Sequence, residues 1–501
     1  MPGGSGRAQS AVVPAPETAC GNASPRECLD LGLRAMGGRE RLESIKSLRL
    51  DSIGHTLLME QSYRQAPFIT SYSRIHESID FARGSVHRET HLTWPEADAG
   101  QSDADTTLIV RAEGGVYRTP QGDSPCGLAD LDSVGQELAL GPARVLLTAL
   151  AASDLHYDSP EVIRSTPHTA VAFTWKGTPV RILINNYNQL PDAVETLRQF
   201  NDFWYFWGDV RQRVYFDNWK VFQGVVYPTN LVEERNGDVW RSLQVLSLEI
   251  NVPVDDSLFR MDAAIAAKSS QGRGWERPFL GNRSTALAPG ITLYEGSWNA
   301  TIIQMEDGVY LLEAPISGVY MQGLLEAARK LPGGAPIRGV FSTSDSWPHV
   351  GGVRQCVAAG LPVYILDLNQ PLLERFLRAP HTVHPDLLAS QPKAPEWRIV
   401  SGRVTVGTGP NRVELYPLRG ASTERQYMAY FPEHHLLYAS DTLALNDDGS
   451  LYDPELMREV SQAVAREHLD VKTVYAMHQA PAPWAQIELL LAAGGKPAKA
   501  S

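Results

Sequence analysis

The amino-acid sequence predicts two domains: an α+β domain that is mainly antiparallel β-sheet, followed by an α/β domain. The chain has 501 residues, well above the size at which one hydrophobic core keeps growing. Short runs of alternating apolar and polar residues fill the first half, whereas strand-like and helix-like segments alternate in the second half. The predicted division is a flexible leader (1–24), the β-rich domain (25–266), a linker (267–288) and the α/β domain (289–496).

Two helices are predicted at the start of the β-rich domain and one more within it. Residues 25–36 carry Pro in the first turn and stop at Gly37 and Gly38, which is typical of a helix start and end. A second short helix is predicted over residues 39–45. Apolar residues recur at helical spacing over residues 133–152, which predicts one further helix.

Strands are predicted over most of residues 48–251, with turns at Tyr227-Pro228 and Asn236-Gly237. A helix pair followed by such a long meander resembles the curved half-barrel domains related to lipoprotein carriers. The resemblance is topological, so it implies a fold and no activity.

Apolar runs and turn signals define the first elements of the α/β domain. Asp307-Gly308 is a typical hairpin turn. The predicted elements are, in chain order, a strand pair at 302–305 and 309–313, a helix at 320–330, a buried strand at 337–341 and a helix that starts near His349.

Composition limits the kind of partner. Hydrophobic residues make up 43% and charged residues 20% of the chain, as in ordinary globular proteins. The net charge of −12 argues against nucleic-acid binding, which needs clustered Lys and Arg. No apolar stretch is long enough for a transmembrane helix. The start of the chain lacks the pattern of a signal peptide, so we expect a soluble protein, cytoplasmic or exported with its signal removed.

The four cysteines are too few for a disulfide scaffold. Cys20 and Cys28 lie close enough in sequence to form a disulfide in an oxidising compartment. Cys126 and Cys356 are expected to be small buried side chains.

One segment carries the strongest motif. Residues 338–352 run from a buried strand into a loop, after which His349 and the Gly351-Gly352 pair are predicted to begin a helix. This segment resembles the metallo-β-lactamase superfamily motif Thr-His-x-His-x-Asp-His-x-Gly-Gly. Aligned on Thr343 and on the Gly-Gly pair, the four ligand positions of that motif are Ser344, Ser346, Pro348 and His349.

Four further landmarks of the superfamily occur in the expected order. They are the opening hairpin with Asn299 and with Glu313 where Asp is usual, the turn Gly420-Ala421-Ser422-Thr423, the hairpin that ends at Asp441, and the terminal strand that ends at His478. The resemblance implies an αββα sandwich. It also implies that a site of three histidines is lost, with Ser344, Ser346 and Ser422 in its place, while His349, Asp441 and His478 keep most of a second site.

The surviving residues have the chemistry of a metal site. A serine hydroxyl is a poor ligand beside imidazole or carboxylate, so the first site should be empty. Two histidines and one carboxylate are typical of catalytic zinc and of non-haem iron(II). We therefore expect His349, Asp441 and His478 to be catalytic and to hold one zinc or iron ion. A metal-free pocket with an imidazole base and a non-catalytic binding module remain alternatives.

Further side chains are expected around this site. Ser344, Ser346, Trp347 and Ser422 are expected to line the substrate, and Asp345 is either catalytic or the cap of its turn. The aromatic run at 203–207, which includes Trp204 and Trp207, either packs a sheet face on helices or covers an apolar pocket, inside the half-barrel or at the mouth of the second domain. In the pocket alternative both tryptophans line a bulky hydrophobic substrate.

The resemblance implies metal-assisted hydrolysis of an ester, lactone or amide-like bond in a hydrophobic small molecule. The same fold hosts other chemistry. An iron oxidoreductase, a metal-free lyase or cyclase, and a ligand-binding pseudoenzyme therefore stay open as alternatives.

Overall fold

The computed structural model describes residues 18–59, 68–94, 103–272 and 274–496. Most of the predicted leader, residues 1–17, lies outside these ranges. The described chain is mainly antiparallel β-sheet with helices packed on the sheets. Among its helices, none combines the length and the apolar character needed to cross a lipid bilayer.

The first half forms one large sheet in which every strand pair is antiparallel, as the alternating pattern predicts. Strand β1 pairs with both β2 and β13, so the two meanders β6 to β1 and β13 to β7 join there. The strands are β1 (Ser47–Leu57), β2 (Thr70–Asp80), β3 (Ser85–Thr93), β4 (Ala104–Arg111), β5 (Gly114–Thr119), β6 (Gly122–Pro125), β7 (His156–Ile163), β8 (Thr166–Trp175), β9 (Thr178–Asn185), β10 (Pro191–Arg198), β11 (Val210–Phe222), β12 (Val225–Arg235) and β13 (Asp238–Ile250).

Four helices pack on this sheet, and their apolar side chains share one core with it. They are α1 (Pro25–Ala35), α2 (Arg39–Glu43), α3 (Leu128–Leu140) and α4 (Val145–Leu150). The single helix predicted over 133–152 is therefore wrong. Gly141 and Pro142 divide it, because proline lacks the amide that a helix interior needs.

The chain is already anchored at Thr18, within the predicted leader. The hydroxyls of Thr18 and Thr169 are 3.0 Å apart. Cys20 forms a disulfide with Cys28 of α1, as their spacing allows. Cys126 and Cys356 are free and buried, as predicted.

The second half contains two further sheets. In order across the first they are β14 (Ser284–Ala288), β15 (Ile291–Tyr294), β16 (Ala300–Met305), β17 (Gly308–Leu312), β18 (Ile337–Ser342), β19 (Val363–Leu366) and β20 (Trp397–Val400). The second contains β21 (Val404–Val406), β22 (Val413–Pro417), β23 (Tyr427–Phe431), β24 (Leu436–Tyr438), β25 (Thr473–Ala476) and β26 (Gln479–Pro483). Residues 284–288 of the predicted linker thus form a strand of the first of these sheets.

One hydrophobic core lies between the two sheets, and each of two others lies between one sheet and its helices. Apolar side chains of both sheets, such as Phe341 and Tyr427, share the central cluster. The outer clusters join each sheet to its own helices. The remaining helices are α5 (Ala263–Ser269), α6 (Gly318–Arg329), α7 (Trp347–Val350), α8 (Val353–Ala358), α9 (Gln370–Arg378), α10 (Leu387–Ser390), α11 (Pro454–Arg466) and α12 (Trp484–Ala492).

The parallel strand pairs determine where a site can form. Strands β17, β18 and β19 are parallel neighbours in one sheet, and β24 and β25 are parallel in the other. Loops that leave the carboxyl ends of parallel strands converge on one edge, where ligands of α/β proteins usually bind.

Candidate active site

The structure brings His349, Asp441 and His478 together at the carboxyl ends of β18, β24 and β25. The Nε2 atom of His349 lies 3.3 Å from Asp441 Oδ2, and the Nε2 atom of His478 lies 3.2 Å from Asp441 Oδ1. One ligand atom from each of the three residues lies within 4.8 Å of the others. We call these three residues the triad. His349 is buried, whereas His478 and Asp441 keep about a third of their side-chain surface exposed, at 34% and 27%, so they form its open side.

Backbone contacts hold both histidines in place. Asn299 donates its amide to the carbonyl of Met477 and its side-chain amide to that of Ala476, at 2.8 and 2.9 Å, which ties the end of β25 to the other sheet. Gly351 follows α7 in close contact with the Ile316 carbonyl, and a β-carbon on Gly351 would lie 2.3 Å from that oxygen. The glycine is therefore required for this loop to support the helix that carries His349.

The hydrogen bond at Nδ1 of His478 determines whether its other ring nitrogen, Nε2, donates or accepts. Its Nδ1 atom lies 2.7 Å from the carbonyl oxygen of Ser297, and a carbonyl can only accept, so Nδ1 carries a proton. In neutral His478 the Nε2 atom then carries no proton, and its lone pair faces the carboxylate of Asp441. Two acceptors at 3.2 Å repel each other unless a proton or a cation lies between them. An imidazole oriented by a carbonyl in this way is the usual arrangement of a metal ligand.

The two histidines differ in protonation. Burial lowers the pKa of His349 to about 4, so this imidazole is neutral near pH 7 and available as a ligand or base. Burial also disfavours the charged form of His478, but the hydrogen bond and charge of Asp441 outweigh it and raise the pKa of His478 above its ordinary value. Burial raises the pKa of Asp441, yet the two histidines outweigh burial and hold it below its usual value. The donor set therefore fits a divalent cation.

A second buried carboxyl group lies behind the triad. Glu313 follows β17 and is fully buried. The hydroxyl of Thr343 donates to it and also lies 2.7 Å from the hydroxyl of Ser440, which precedes Asp441. Glu313 and Ser440 both have positive φ, 77° and 57°, a conformation that costs non-glycine residues energy and is common at functional sites.

Glu313→Gln should remove a pH dependence of stability. Burial raises the pKa of Glu313 from 4.5 to about 8, so the folded state binds this proton more tightly than the unfolded state. The resulting stability is full below pH 4.5 and is lost as pH rises through 8. Between pH 5 and pH 9, urea unfolding should show a decline on the order of 2–4 kcal/mol in the wild type that is absent from Glu313→Gln. The exposed Glu424→Gln is the control, and an equal decline in both variants would contradict the prediction.

The predicted lining residues lie in different surroundings. Ser344 is buried and its hydroxyl accepts the amide of Ser346, at 3.2 Å. Ser422 donates its amide to Glu459 of α11, at 3.0 Å. Asp345 is buried against the guanidinium of Arg425, at 2.6 Å. The substrate contacts of these residues, and a catalytic role of Asp345, stay predictions.

The aromatic run is a short 3₁₀ helix, Phe203–Trp207, and its interpretation as a sheet face was wrong. The run packs on the second domain. Trp204 and Trp207 meet the ring of Trp347 edge-on, with centroids 5.1 and 5.5 Å apart. Trp347 lies two positions before His349, so this contact reaches the triad through α7. That both tryptophans line a substrate stays a prediction.

The open face of the large sheet carries a separate groove. Its lining combines apolar and polar side chains and includes Ile53, His55, Tyr72, Arg74 and His91. These residues lie on β1, β2 and β3 and do not belong to the aromatic run. The groove is therefore separate from Trp204 and Trp207, and an apolar pocket covered by these tryptophans stays a prediction.

Three residues beside the triad are absent from the sequence-based prediction. Trp298 lies 5.8 Å from the ring of His478, centroid to centroid, and Trp275 lies 5.6 Å from Trp298. Arg277 lies over both tryptophans, at 5.1 and 5.5 Å. A tryptophan in a segment rich in Gly, Arg and Ser was the available signal, because such large apolar side chains are uncommon in exposed linkers.

The chain matches no family model and no curated protein. Among solved structures it is similar to the DIM-1 metallo-β-lactamase, with 16% identity over 42% of this chain and 95% of that chain, at a TM-score of 0.33. A metallo-β-lactamase from Pontibacter korlensis gives 16% identity over 42% of this chain and 97% of that chain, also at 0.33.

The sec-alkylsulfatase Pisa1 from Pseudomonas sp. has 15% identity over 42% of this chain and 40% of that chain, at a TM-score of 0.31. Scores this low do not decide the fold or the activity.

Proposed function

We propose that the second half of the chain is a metallo-β-lactamase-type domain and that His349, Asp441 and His478 hold a single catalytic zinc or iron ion. The observation that carries the proposal is the bond from His478 Nδ1 to the Ser297 carbonyl. It leaves Nε2 of neutral His478 facing the carboxylate of Asp441, so these two residues would offer acceptors to a cation.

The arrangement of layers supports the fold part of the proposal. Two sheets share a central core and each is covered by its own helices, which is the layering of an αββα sandwich. The triad lies at the carboxyl ends of strands from both sheets. This placement supports the proposal that the five landmarks read from the sequence belong to one domain.

The reaction that we propose is hydrolysis of an ester, lactone or amide-like bond in a hydrophobic small molecule. When bound, a zinc or iron ion lowers the pKa of a water or polarises a carbonyl oxygen. Asp441 supplies the negative charge that balances the ion, and His349 holds the buried side of the site. His478 and Asp441 are the exposed members of the triad, so the substrate approaches from their side. The packed rings around Trp347 exclude water behind α7.

Metal content tests the proposal directly. We expect about one equivalent of zinc or iron in purified wild type, and little in His349→Ala, because a deeply buried ligand is lost. His384→Ala, on an exposed loop, should keep the wild-type content. Elemental analysis measures all three, and a wild type without stoichiometric metal would overturn the metal site. Zinc would favour the hydrolase, and iron would favour the oxidoreductase.

A metal-free acid–base enzyme is the second candidate. The observation that favours it is the difference between the two imidazoles, since the pKa of His349 is about 4 and that of His478 is raised. A protonated His478 donates to a leaving group and a neutral His349 accepts a proton, which suits a lyase or cyclase. Full activity after removal of metal by a chelator would favour this candidate over the first.

A further inference from the structure

Arg277 is a cation without a carboxylate partner in the described chain, and it contacts Trp298, whose ring lies 5.8 Å from that of His478. Within the described ranges it forms no ion pair, and its buried Nε atom has no hydrogen-bond acceptor. Its guanidinium instead lies over the rings of Trp275 and Trp298. Arg277 is only half-buried as a residue, but its Nε atom is buried, and a buried donor without an acceptor is costly.

Anchors on both sides hold Arg277 in this position. On one side, the indole nitrogen of Trp275 donates to the Asn201 carbonyl, at 3.0 Å, and its ring stacks on Tyr205, with centroids 4.4 Å apart. On the other side, Phe279 packs against Gly323 of α6, where a β-carbon would lie 2.8 Å from Phe279 Cβ. The first anchor belongs to the large sheet domain and the second to the domain of the triad. Arg277 is therefore positioned by both domains.

Trp298 supplies a second donor without an acceptor in the described chain. Its side chain is nine-tenths buried, with 9% exposed, and its indole nitrogen has no hydrogen-bond partner. The ring contacts both Arg277 and His478. Two unsatisfied donors, one of them charged, thus belong to one group of side chains that reaches the triad.

We propose that Arg277, together with Trp275 and Trp298, binds the carboxylate of the substrate, and that the substrate is an organic acid with an apolar body. Two aromatic rings restrict the guanidinium, whose Nη atoms form no hydrogen bond or ion pair within the described chain, and a planar guanidinium can hold the two oxygens of a carboxylate as a bidentate pair. The tryptophan rings provide the apolar contact for the body. Arg277 is then a specificity-determining residue of the site. The inference rests on the proposed function only for the reaction that follows binding.

Ligand binding tests the inference independently of activity. The probes are naphthalene-1-acetate and decanoate, each with its matched primary amide and with 1-naphthyl phosphate as the tetrahedral anion. Titration calorimetry and tryptophan fluorescence on the purified full chain should show the carboxylates bound about tenfold or more tightly than their amides. Arg277→Gln should abolish this preference and Arg277→Lys should restore part of it. Arg283→Gln should keep it, since Arg283 is exposed and paired with Glu295.

Three results would overturn the inference. They are equal binding of carboxylates and amides by the wild type, no binding of any probe, and a preference that Arg277→Gln leaves unchanged. Tighter binding of the phosphate than of the carboxylates would overturn the choice of ligand class. Thermal unfolding of each variant verifies that it is folded.

The same titrations in His349→Ala separate this inference from the metal site. A carboxylate preference that persists in His349→Ala and is lost in Arg277→Gln supports the recognition role even if the wild type holds no metal. A preference that disappears in His349→Ala and stays in Arg277→Gln would show that the carboxylate binds the ion and would overturn the inference alone.

Discussion

Asp441→Asn is expected to lower the affinity of the protein for zinc about 100-fold or more, since even residues that only support metal ligands change affinity by 10–100-fold. The carboxylate of Asp441 pairs with both histidines, at 3.3 and 3.2 Å. Asparagine keeps the shape but removes the negative charge, and its amide group donates where a ligand must accept. Hydrolytic activity should fall by a similar or larger factor, because both the ion and the carboxylate are affected.

Competition with a chromophoric zinc chelator at pH 7 measures this loss. Asp447→Asn is the matched control, because Asp447 is exposed on the loop that follows the triad residue. Its zinc affinity should equal that of the wild type. If the two variants bound zinc equally well, Asp441 would not be a ligand, and the metal-free acid–base enzyme would be favoured.

The triad was predictable because each member follows a strand whose apolar run is readable in the sequence. His349, Asp441 and His478 lie within a few residues of the ends of β18, β24 and β25. Parallel strands bring such ends to one edge, so short motifs in the right order were sufficient. The orientation of His478 was not predictable, since it depends on a carbonyl that lies 181 residues earlier in the chain.

Features that depend on contacts between residues far apart in the sequence were not predicted. Trp275 and Arg277 acquire their role from contacts with residues far away in the chain, and their segment alone resembles a linker. The aromatic run was assigned to a sheet because strand patterns surround it, yet Asp202 caps a 3₁₀ helix there. Gly141-Pro142 indicates a break in the helix, but the prediction of one helix relied on the apolar periodicity over residues 133–152.

Phe206→Ala is expected to destabilise the second domain by about 3–5 kcal/mol, the usual cost of truncating a buried aromatic side chain. Phe206 is 1% exposed. Its ring stacks on Phe376 of α9 at 3.7 Å and lies parallel to Trp347 of α7 at 5.6 Å. The truncation therefore leaves a cavity between the domains. Urea unfolding followed by tryptophan fluorescence measures the loss, and Tyr187→Ala, 57% exposed in a turn, should be close to wild type.

The position of Phe206 also predicts an effect on the site. Trp347 is held by rings of the 3₁₀ helix, and His349 follows it within the same short helix. A cavity beside Trp347 gives α7 room to move, and small displacements of a ligand weaken a metal site. Phe206→Ala should therefore lower zinc affinity about tenfold, an effect of the size seen for supporting residues, whereas Tyr187→Ala should not. Destabilisation without any change in zinc affinity would mean that the domain contact stabilises the fold but does not position the triad.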